Sequence, residues 1–189
     1  MNFILIMKSP DKFIVTPYKN KRYDNTLKIG SIDFITSVSE ENHKVSNRFA
    51  VVKEIPIGYN GDIKKGDILI VHHNIFKFYN DVKLQRRSSG AFFKDNLFFV
   101  GMEQFYLYGQ IGNWKCHDRY CFVKPIKTNN KICPYQPLTG EMKYVNSYLM
   151  NNGIKISDIV YFTPDSEYEF QIEGETLYRI YDHQICGKA

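Results

Sequence analysis

Cysteine and histidine residues are the first candidates for chemistry in this chain, because thiolates and imidazoles bind zinc. Cys116, His117 and Cys121 lie close together in the sequence, and Cys133 follows them. Zinc sites normally use paired C-x-x-C ligands, and this spacing departs from that pattern. Cys121 also falls within a predicted strand. The sequence therefore favours free thiols over a metal site.

Two further groups of polar residues have types that bind metals or protons. His72 and His73 are adjacent on a predicted strand, so we expect their side chains to point to opposite faces and not to share a metal. Asp165, Glu167 and Glu169 alternate, so they share one face of a strand, where they could bind a cation or act as an acid–base pair. Such a row is more often the solvated side of a strand, and that interpretation is preferred here.

Nucleotide-binding and hydrolase motifs are absent from the sequence: there is no G-x-x-x-x-G-K-[ST] loop, no G-x-S-x-G elbow and no H-E-x-x-H helix. Taken with the weak metal spacing, this predicts no catalytic residue, no metal site and no cofactor. The sequence therefore indicates a protein that is not an enzyme.

The composition suits a folded protein with a sizeable core, since 43% of the 189 residues are hydrophobic and 15% are aromatic. The net charge of +5 is spread over short basic clusters, which predicts solvated surface and no specific nucleic-acid partner. No apolar run approaches the roughly 20 residues of a membrane span, and residues 1–7 are too short for a signal peptide. We therefore expect a cytoplasmic protein with reduced thiols and no membrane partner.

Short runs with period-2 alternation dominate the chain, and turn residues such as Asn-Gly separate them. No apolar stripe of helical period continues for more than a couple of turns. The sequence therefore predicts an all-β fold. The predicted strands are residues 13–16, 48–55, 67–72, 96–100, 105–108, 120–124, 141–145, 158–162, 167–172 and 176–180.

Three blocks of the first half recur in the second half, in the same order. In each half a glutamine, Gln104 or Gln184, follows the last block by four residues. This self-similarity predicts two duplicated domains, residues 1–112 and 113–189. The matched blocks are 13–17 with 121–125, 63–71 (IKKGDILIV) with 154–162 (IKISDIVYF), and 96–100 (NLFFV) with 176–180 (TLYRI).

The ordered set of blocks resembles the GroES-type co-chaperonins. The resemblance rests on residues 64–71 in the first half and on residues 155–162 and 173–185 in the second. Residues 72–74 and 162–168 resemble divergent co-chaperonin-like proteins of tailed phages. The resemblance implies two tandem GroES-like small β-barrels.

In that family a mobile loop after the first strand presents a short apolar segment to the chaperonin. The resemblance therefore implies a mobile loop at about residues 18–47, with Ile32, Phe34 and Ile35 as the chaperonin-binding residues. Such a loop orders on contact and loses conformational entropy, so its binding is reversible. The alternation of Ile32, Phe34 and Thr36 fits equally well with another strand of the barrel, and both interpretations stay open.

Two other segments differ from the family pattern. The matching loop of the second domain, residues 127–139, is shorter and contains Pro134 and Pro137, so we expect it to be structural, with Ile132 and Cys133 as its apolar residues. The first domain carries an insertion at about residues 74–95. Its aromatic and arginine side chains are typical of interface anchors, but a hairpin packed on its own barrel explains them as well.

The function implied by the resemblance is that of a phage-encoded co-chaperonin-like protein, which binds a GroEL-type chaperonin ring and assists protein folding in the host cytoplasm. Family members assemble through exposed strand edges, so a homo-oligomer is implied too. The alternative is a phage structural or assembly protein that retains the GroES-like barrel without chaperonin activity.

Overall fold

Antiparallel β-strands account for most of the secondary structure in a computed structural model of the chain. The structure describes residues 7–23, 26–29, 32–35, 45–129 and 134–189, and for residues 26–29 and 32–35 it describes the backbone. The chain was predicted to be all-β, and this is confirmed in its coarse form: the described residues are mostly β, in antiparallel sheets.

The strands follow the alternating and β-branched runs of the sequence, and one short helix, α1 (Ser147–Asn151), lies among the described residues. In chain order the strands are β1 Phe13–Pro17, β2 Thr26–Ile29, β3 Ile32–Ile35, β4 Phe49–Glu54, β5 Ile68–Val71, β6 Phe78–Asn80, β7 Arg86–Ser88, β8 Phe98–Val100, β9 Phe105–Gln110, β10 Asn113–Cys116, β11 Tyr120–Lys127, β12 Tyr135–Tyr144, β13 Ile159–Phe162, β14 Tyr168–Ile172, β15 Glu175–Tyr181 and β16 Ile185–Lys188.

Two six-stranded sheets contain twelve of these strands. The first has the order β10-β9-β5-β4-β1-β8, and the second has the order β16-β13-β12-β11-β15-β14. Five strands, β9-β5-β4-β1-β8 and β16-β13-β12-β11-β15, therefore occur in the same spatial and chain order. Within the described residues both sheets end in edge strands, and no strand pairing closes either one into a barrel.

The strand registers repeat as closely as the strand order. In the first sheet the β1–β4 pairing shifts between Ile14 and Val15, and in the second the β11–β12 pairing shifts between Phe122 and Val123. When residues 13–17 are aligned with residues 121–125, the two register shifts fall at equivalent positions. Both sheets thus place a bulge at the same point, which is a conserved device for bending a strand.

The turn before the third shared strand also repeats, atom for atom. Asp67 Oδ2 accepts a hydrogen bond from the Lys64 N–H (2.8 Å), and Asp158 Oδ2 accepts one from the Lys155 N–H (2.6 Å). This is why an aspartate begins both strands in the sequence, since a carboxylate satisfies backbone donors that the turn leaves open.

The two glutamines of the repeat have one structural role. Gln104 Oε1 accepts from the Gly101 N–H and Gln184 Oε1 from the Tyr181 N–H, both at 2.9 Å, across a single 3₁₀ turn. The carbonyl oxygen of each glutamine then accepts from the residue that follows the third shared strand, His72 or Thr163. Each glutamine therefore fixes the path from one shared strand to the next.

The contacts divide the chain into two compact units, Met1–Phe105 (unit 1) and Tyr106–Ala189 (unit 2). The division predicted from the repeat followed residue 112. Unit 1 has a core rich in phenylalanine, including Phe13, Phe76 and Phe98. Unit 2 buries a core that includes Cys121, Met142 and Leu177.

Some elements were not predicted. Strands β6, β7, β10 and β16 are short and largely polar or exposed, so period-2 alternation does not mark them. Helix α1 was not predicted either, although Asn146 caps it by accepting a hydrogen bond from the Leu149 N–H at 2.9 Å. Among the described helices, none has the length and apolar character to cross a membrane.

Candidate functional site

The segment that joins β1 to β4 in unit 1 is closed at its base by Asn47. Its side-chain amide donates to the carbonyl oxygens of Tyr18 (3.1 Å) and Lys21 (2.6 Å), and its oxygen accepts from the Phe49 N–H (2.9 Å). Its backbone N–H donates to the carbonyl oxygen of Arg22 at 3.0 Å. One side chain thus holds together the two points where the chain leaves and rejoins the sheet.

A second contact, between Tyr23 and Ser46, also closes the base of the segment. Tyr23 and Ser46 form an isolated antiparallel bridge, and Ser46 is buried with its hydroxyl donating to the His73 carbonyl oxygen at 2.8 Å. Residues 18–23 and 45–47, which the sequence assigned to a mobile loop, are therefore a paired base in the structure.

The predicted binding residues lie in β3, within this segment. β3 pairs with β2 as a two-stranded sheet of its own, with Ile32 opposite Ile29, Phe34 opposite Leu27 and Ile35 opposite Thr26. The structure therefore gives these residues a strand, as the alternative interpretation expected, but the strand belongs to neither six-stranded sheet. Thr36 lies outside the described residues. Binding by Ile32, Phe34 and Ile35 stays a prediction.

The base of the segment is fastened to the insertion, which forms the β6–β7 hairpin. The Arg22 guanidinium lies 3.7 Å from the centre of the Phe78 ring and donates to Ser88 Oγ at 3.2 and 3.3 Å. The Tyr23 hydroxyl accepts from the Phe78 N–H at 2.7 Å. Arg86 lies 3.7 Å from the same ring. A cation close to an aromatic face is stabilised by the ring quadrupole, so this cluster fixes the hairpin to the base.

Most aromatic residues of the insertion pack within unit 1. Phe76 is fully buried and makes an edge contact with Phe98 at 4.9 Å, and Phe92 contacts Phe98 at 5.4 Å. These contacts match the interpretation of the insertion as a hairpin packed on its own domain. Its outer end, by contrast, carries exposed side chains.

An open depression of about 630 Å³ lies beside β6. Its lining includes His72, Ile75, Phe78, Tyr79 and Gln104. These residues come from separate segments of the sequence, so no spacing motif could have revealed the depression. Its volume is in the range of small-molecule sites, but its lining has no concentrated charge.

No family model matches the chain, and no curated protein matches it. The candidate site therefore depends on the geometry of the chain's own residues and on the repeat within it.

Unit 2 has a much shorter connection at the place that corresponds to the candidate segment. Lys127 pairs with Tyr135, and the Thr128 N–H donates to the Pro134 carbonyl oxygen at 2.9 Å, so β11 and β12 form a tight hairpin. Pro137 lies within β12. Ile132 and Cys133 lie outside the described residues.

The histidine pair departs from its prediction. β5 ends at Val71, so His72 and His73 follow the strand, and their ring centres are 4.1 Å apart. The prediction that they point to opposite faces is wrong, because it assumed that the strand continued through both residues. His72 Nδ1 accepts from the Asn74 N–H at 3.2 Å.

The cysteines that could have formed a metal site are separate thiols. Cys116, Cys121 and Cys186 are free, and Cys121 is fully buried in β11, where its thiol donates to the Ile180 carbonyl oxygen at 3.6 Å. Burial raises the pKa of both Cys116 and Cys121 above the usual range of a thiol, which disfavours the reactive thiolate. Among the described residues, no group of three or more His, Cys, Asp or Glu side chains is placed to hold a metal ion.

A buried carboxylate, Asp182, organises unit 2 and was not predicted. Arg119 Nε donates to its two oxygens at 2.9 and 3.1 Å, and Asn146 Nδ2 donates to Oδ2 at 3.1 Å. Burial acts to raise the pKa of Asp182, but the hydrogen bonds from Arg119 and Asn146 outweigh it, so this pKa is lowered. Asp182 thereby joins the start of β11 to the cap of α1 and to the 3₁₀ turn after β15.

Proposed function

We propose that the chain is a co-chaperonin-like protein whose two units are GroES-like barrels, and that unit 1 binds a chaperonin ring through β3. The repeated strand order, the shared bulge and the glutamine turns support two copies of one domain. The resemblance of residues 64–71 and 155–162 to the GroES-type family supports the choice of family.

The observation that carries the proposal is the segment between β1 and β4. It is held at its base by Asn47 and by the Tyr23–Ser46 bridge, and it carries a hairpin that belongs to neither large sheet. A fixed base limits the volume that the hairpin can search, which lowers the entropy lost on binding. The apolar residues Ile32, Phe34 and Ile35 on such a hairpin are suited to a hydrophobic groove on a partner, and Asp33 is the polar residue among them.

Co-elution of the purified chain with a GroEL-type chaperonin tests the proposal. We expect binding that depends on nucleotide and that Phe34→Asp abolishes, because a carboxylate at the contact has to be desolvated. Ile57→Asp is the matched control, since Ile57 is an exposed apolar residue of unit 1 outside the segment, and it should bind as the wild type does.

Two results would contradict the proposal in different ways. If Phe34→Asp binds as well as the wild type, β3 is not the contact. If the wild type does not bind with any nucleotide, the chaperonin itself is the wrong partner, and an assembly role without chaperonin activity becomes the better description.

A further inference from the structure

The tip of the β6–β7 hairpin, residues 81–85, is an ordered turn. Asp81 Oδ1 accepts hydrogen bonds from the N–H groups of Lys83 (2.8 Å) and Gln85 (2.9 Å), and Asp81 Oδ2 accepts one from Arg87 Nε (3.1 Å). An aspartate that satisfies several donors in this way fixes the conformation of a turn. The side chains at the tip are therefore presented in a defined arrangement.

Two apolar side chains are presented at this tip. Val82 is 100% exposed and Leu84 is 85% exposed. Leu84 also has φ +56°, in the left-handed region that disfavours a residue with a Cβ. Both features oppose the stability of the unit by itself, so they point to a contact that the tip makes outside it.

The charge around the tip is positive. Lys83, Arg86 and Arg87 lie on the hairpin, and Asp81 is engaged by Arg87. Among the described residues Lys83 has no carboxylate within ion-pair distance. Unit 1 as a whole contains 16 Lys and Arg against 11 Asp and Glu, whereas unit 2 contains nine of each. All of the net charge of the chain therefore lies in the unit that carries the tip.

Unit 2 carries the complementary charge at its acidic β14 edge, which we define as Asp165 and Glu167 in the turn before β14 together with Glu169 of β14, an edge strand of the second sheet. Residues 165–175 contain five acidic residues and no Lys or Arg. Glu173 and Glu175 are used within the unit, since Glu173 accepts from the Trp114 indole and Glu175 pairs with lysines. Asp165 and Glu167 are exposed, and among the described residues neither has an ion-pair partner.

We propose that the β6–β7 tip of one copy of this chain docks on the acidic β14 edge of a second copy. Identical acidic edges repel each other, which prevents edge-to-edge pairing of two unit 2 sheets. A basic tip neutralises those charges and covers Val82 and Leu84. The contact joins two different surfaces, so it is head-to-tail and can be repeated from copy to copy. It does not depend on the proposed function.

Sedimentation velocity over a concentration series, with native mass measurement, tests this contact. The wild type should associate as its concentration rises. Lys83→Glu and Glu167→Lys should each raise the dissociation constant about tenfold, because each places like charges across the contact. Lys53→Glu, an exposed charge reversal elsewhere in unit 1, is the matched control and should associate as the wild type does.

A mixture of the two variants gives the sharpest readout. In an equimolar mixture of Lys83→Glu and Glu167→Lys, each contact between unlike variants regains opposite charges, so the mixture should associate more tightly than either variant alone. A chain that carries both substitutions should associate for the same reason, and if neither it nor the mixture associates more tightly than the single variants, the proposal is overturned. A wild type that stays monomeric, or single reversals without effect, overturns it too.

The apolar part of the contact needs its own variants. Val82→Ser removes apolar area at an exposed position, and Leu84→Asn does so with a residue that tolerates positive φ, so both should fold. We expect each to weaken self-association, whereas Phe34→Asp should leave it unchanged. Loss of self-association with Phe34→Asp would instead assign the contact to the β2–β3 hairpin.

Discussion

The two six-stranded sheets share five strands in one order but differ in the connection after the first of them. Unit 1 uses residues 18–48 to join β1 to β4, with a clamped base and a separate hairpin, whereas unit 2 joins β11 to β12 through residues 128–134. In both sheets, the residues of the first shared strand that follow the register shift pair with the second shared strand in the same register. The comparison shows that the shared strand order does not require the longer segment, which agrees with the proposal that the segment contacts a partner.

The units also differ in how they stabilise equivalent positions. Asp182 follows Tyr181 in unit 2 and is buried in a hydrogen-bonded network, whereas Met102 follows Gly101 in unit 1 and is 36% exposed. At the position of Phe99 in unit 1, unit 2 has Arg179. At these two positions unit 1 thus has an apolar side chain where unit 2 has a charged one.

The largest effect expected from this difference is at the first shared strand. Phe13 is fully buried and contacts Tyr59 and Phe105 at 5.0 and 5.6 Å, so Phe13→Ala should lower the free energy of unfolding by about 3–5 kcal/mol. The equivalent residue of unit 2 is Cys121, and Cys121→Ala should cost about 1 kcal/mol. Urea unfolding with hydrogen exchange resolved by unit measures both. Equal losses in the two variants would contradict the comparison.

Removal of the buried carboxylate should have the next largest effect. Asp182→Ala leaves Arg119 and Asn146 without their acceptor, and we expect the free energy of unfolding to fall by about 2–3 kcal/mol. Hydrogen exchange resolved by residue follows the unfolding of unit 2, whereas the fluorescence of Trp114, in β10 of the first sheet, does not report on unit 2 alone. Met102→Ala is the control at the equivalent position, and a loss as large as that of Asp182→Ala would show that the network is not responsible.

Acid should destabilise unit 2 before unit 1. The hydrogen bonds of Lys124 and Lys143 lower the pKa of Glu175 to about 2, and the Lys188 hydrogen bond lowers the pKa of Asp158. The pKa of Asp182 is lowered as well. A carboxyl with a lowered pKa stabilises the fold above its unfolded-state pKa, and this stability is lost as the pH falls through the folded-state pKa.

The acid prediction therefore covers the range from about pH 4.5 down to about pH 2, given the ordinary pKa values of carboxyl groups. In this range hydrogen exchange resolved by residue should report the loss of unit 2 before the loss of unit 1. High salt should reduce the difference, because Glu175 and its lysines are partly exposed and salt screens them. Unfolding of both units at the same pH, at every salt concentration, would contradict this prediction.

The smallest effect is at the turn before the third shared strand. Gly66 has φ +89° and the equivalent Ser157 has φ +68°, so Ser157 adopts a conformation that favours glycine. Ser157→Gly should raise the free energy of unfolding by about 1 kcal/mol, and Gly66→Ser should lower it by about as much. A Cβ at Gly66 meets no atom within 4 Å, so no clash contributes. Changes of the same sign in the two variants would contradict this account.

The strands that carry the repeat could be predicted because their apolar residues alternate or form short buried runs, as in residues 68–71. The order of the strands within each sheet could not be predicted, because many strand orders are compatible with the same alternation of apolar and polar residues. The Asp182 network could not be predicted from spacing, because its partners Arg119 and Asn146 are 63 and 36 residues away in sequence. Asn146 as a helix cap, by contrast, was detectable from the sequence.

For the candidate site, the sequence located the apolar residues Ile32, Phe34 and Ile35 but not the closure beneath them. Asn47 is an ordinary residue of a polar stretch, and its role depends on backbone groups of residues 18–22 that only the folded chain brings within reach. The fastening of Phe78 by Arg22 is likewise a long-range contact. Alternation and motif spacing describe residues that are close together in the sequence, so they cannot predict such long-range pairs.

Because Asn47 holds the base of the segment closed, the residues between the two ends of that base can be replaced as a unit. Because both ends are fixed to the same part of unit 1, a change of length between them alters the closure entropy only slowly and leaves the sheet register untouched. Sequences selected for different partners can therefore be exchanged there without redesign of the domain, and a foreign peptide grafted between Tyr23 and Ser46 should be displayed with its termini already paired.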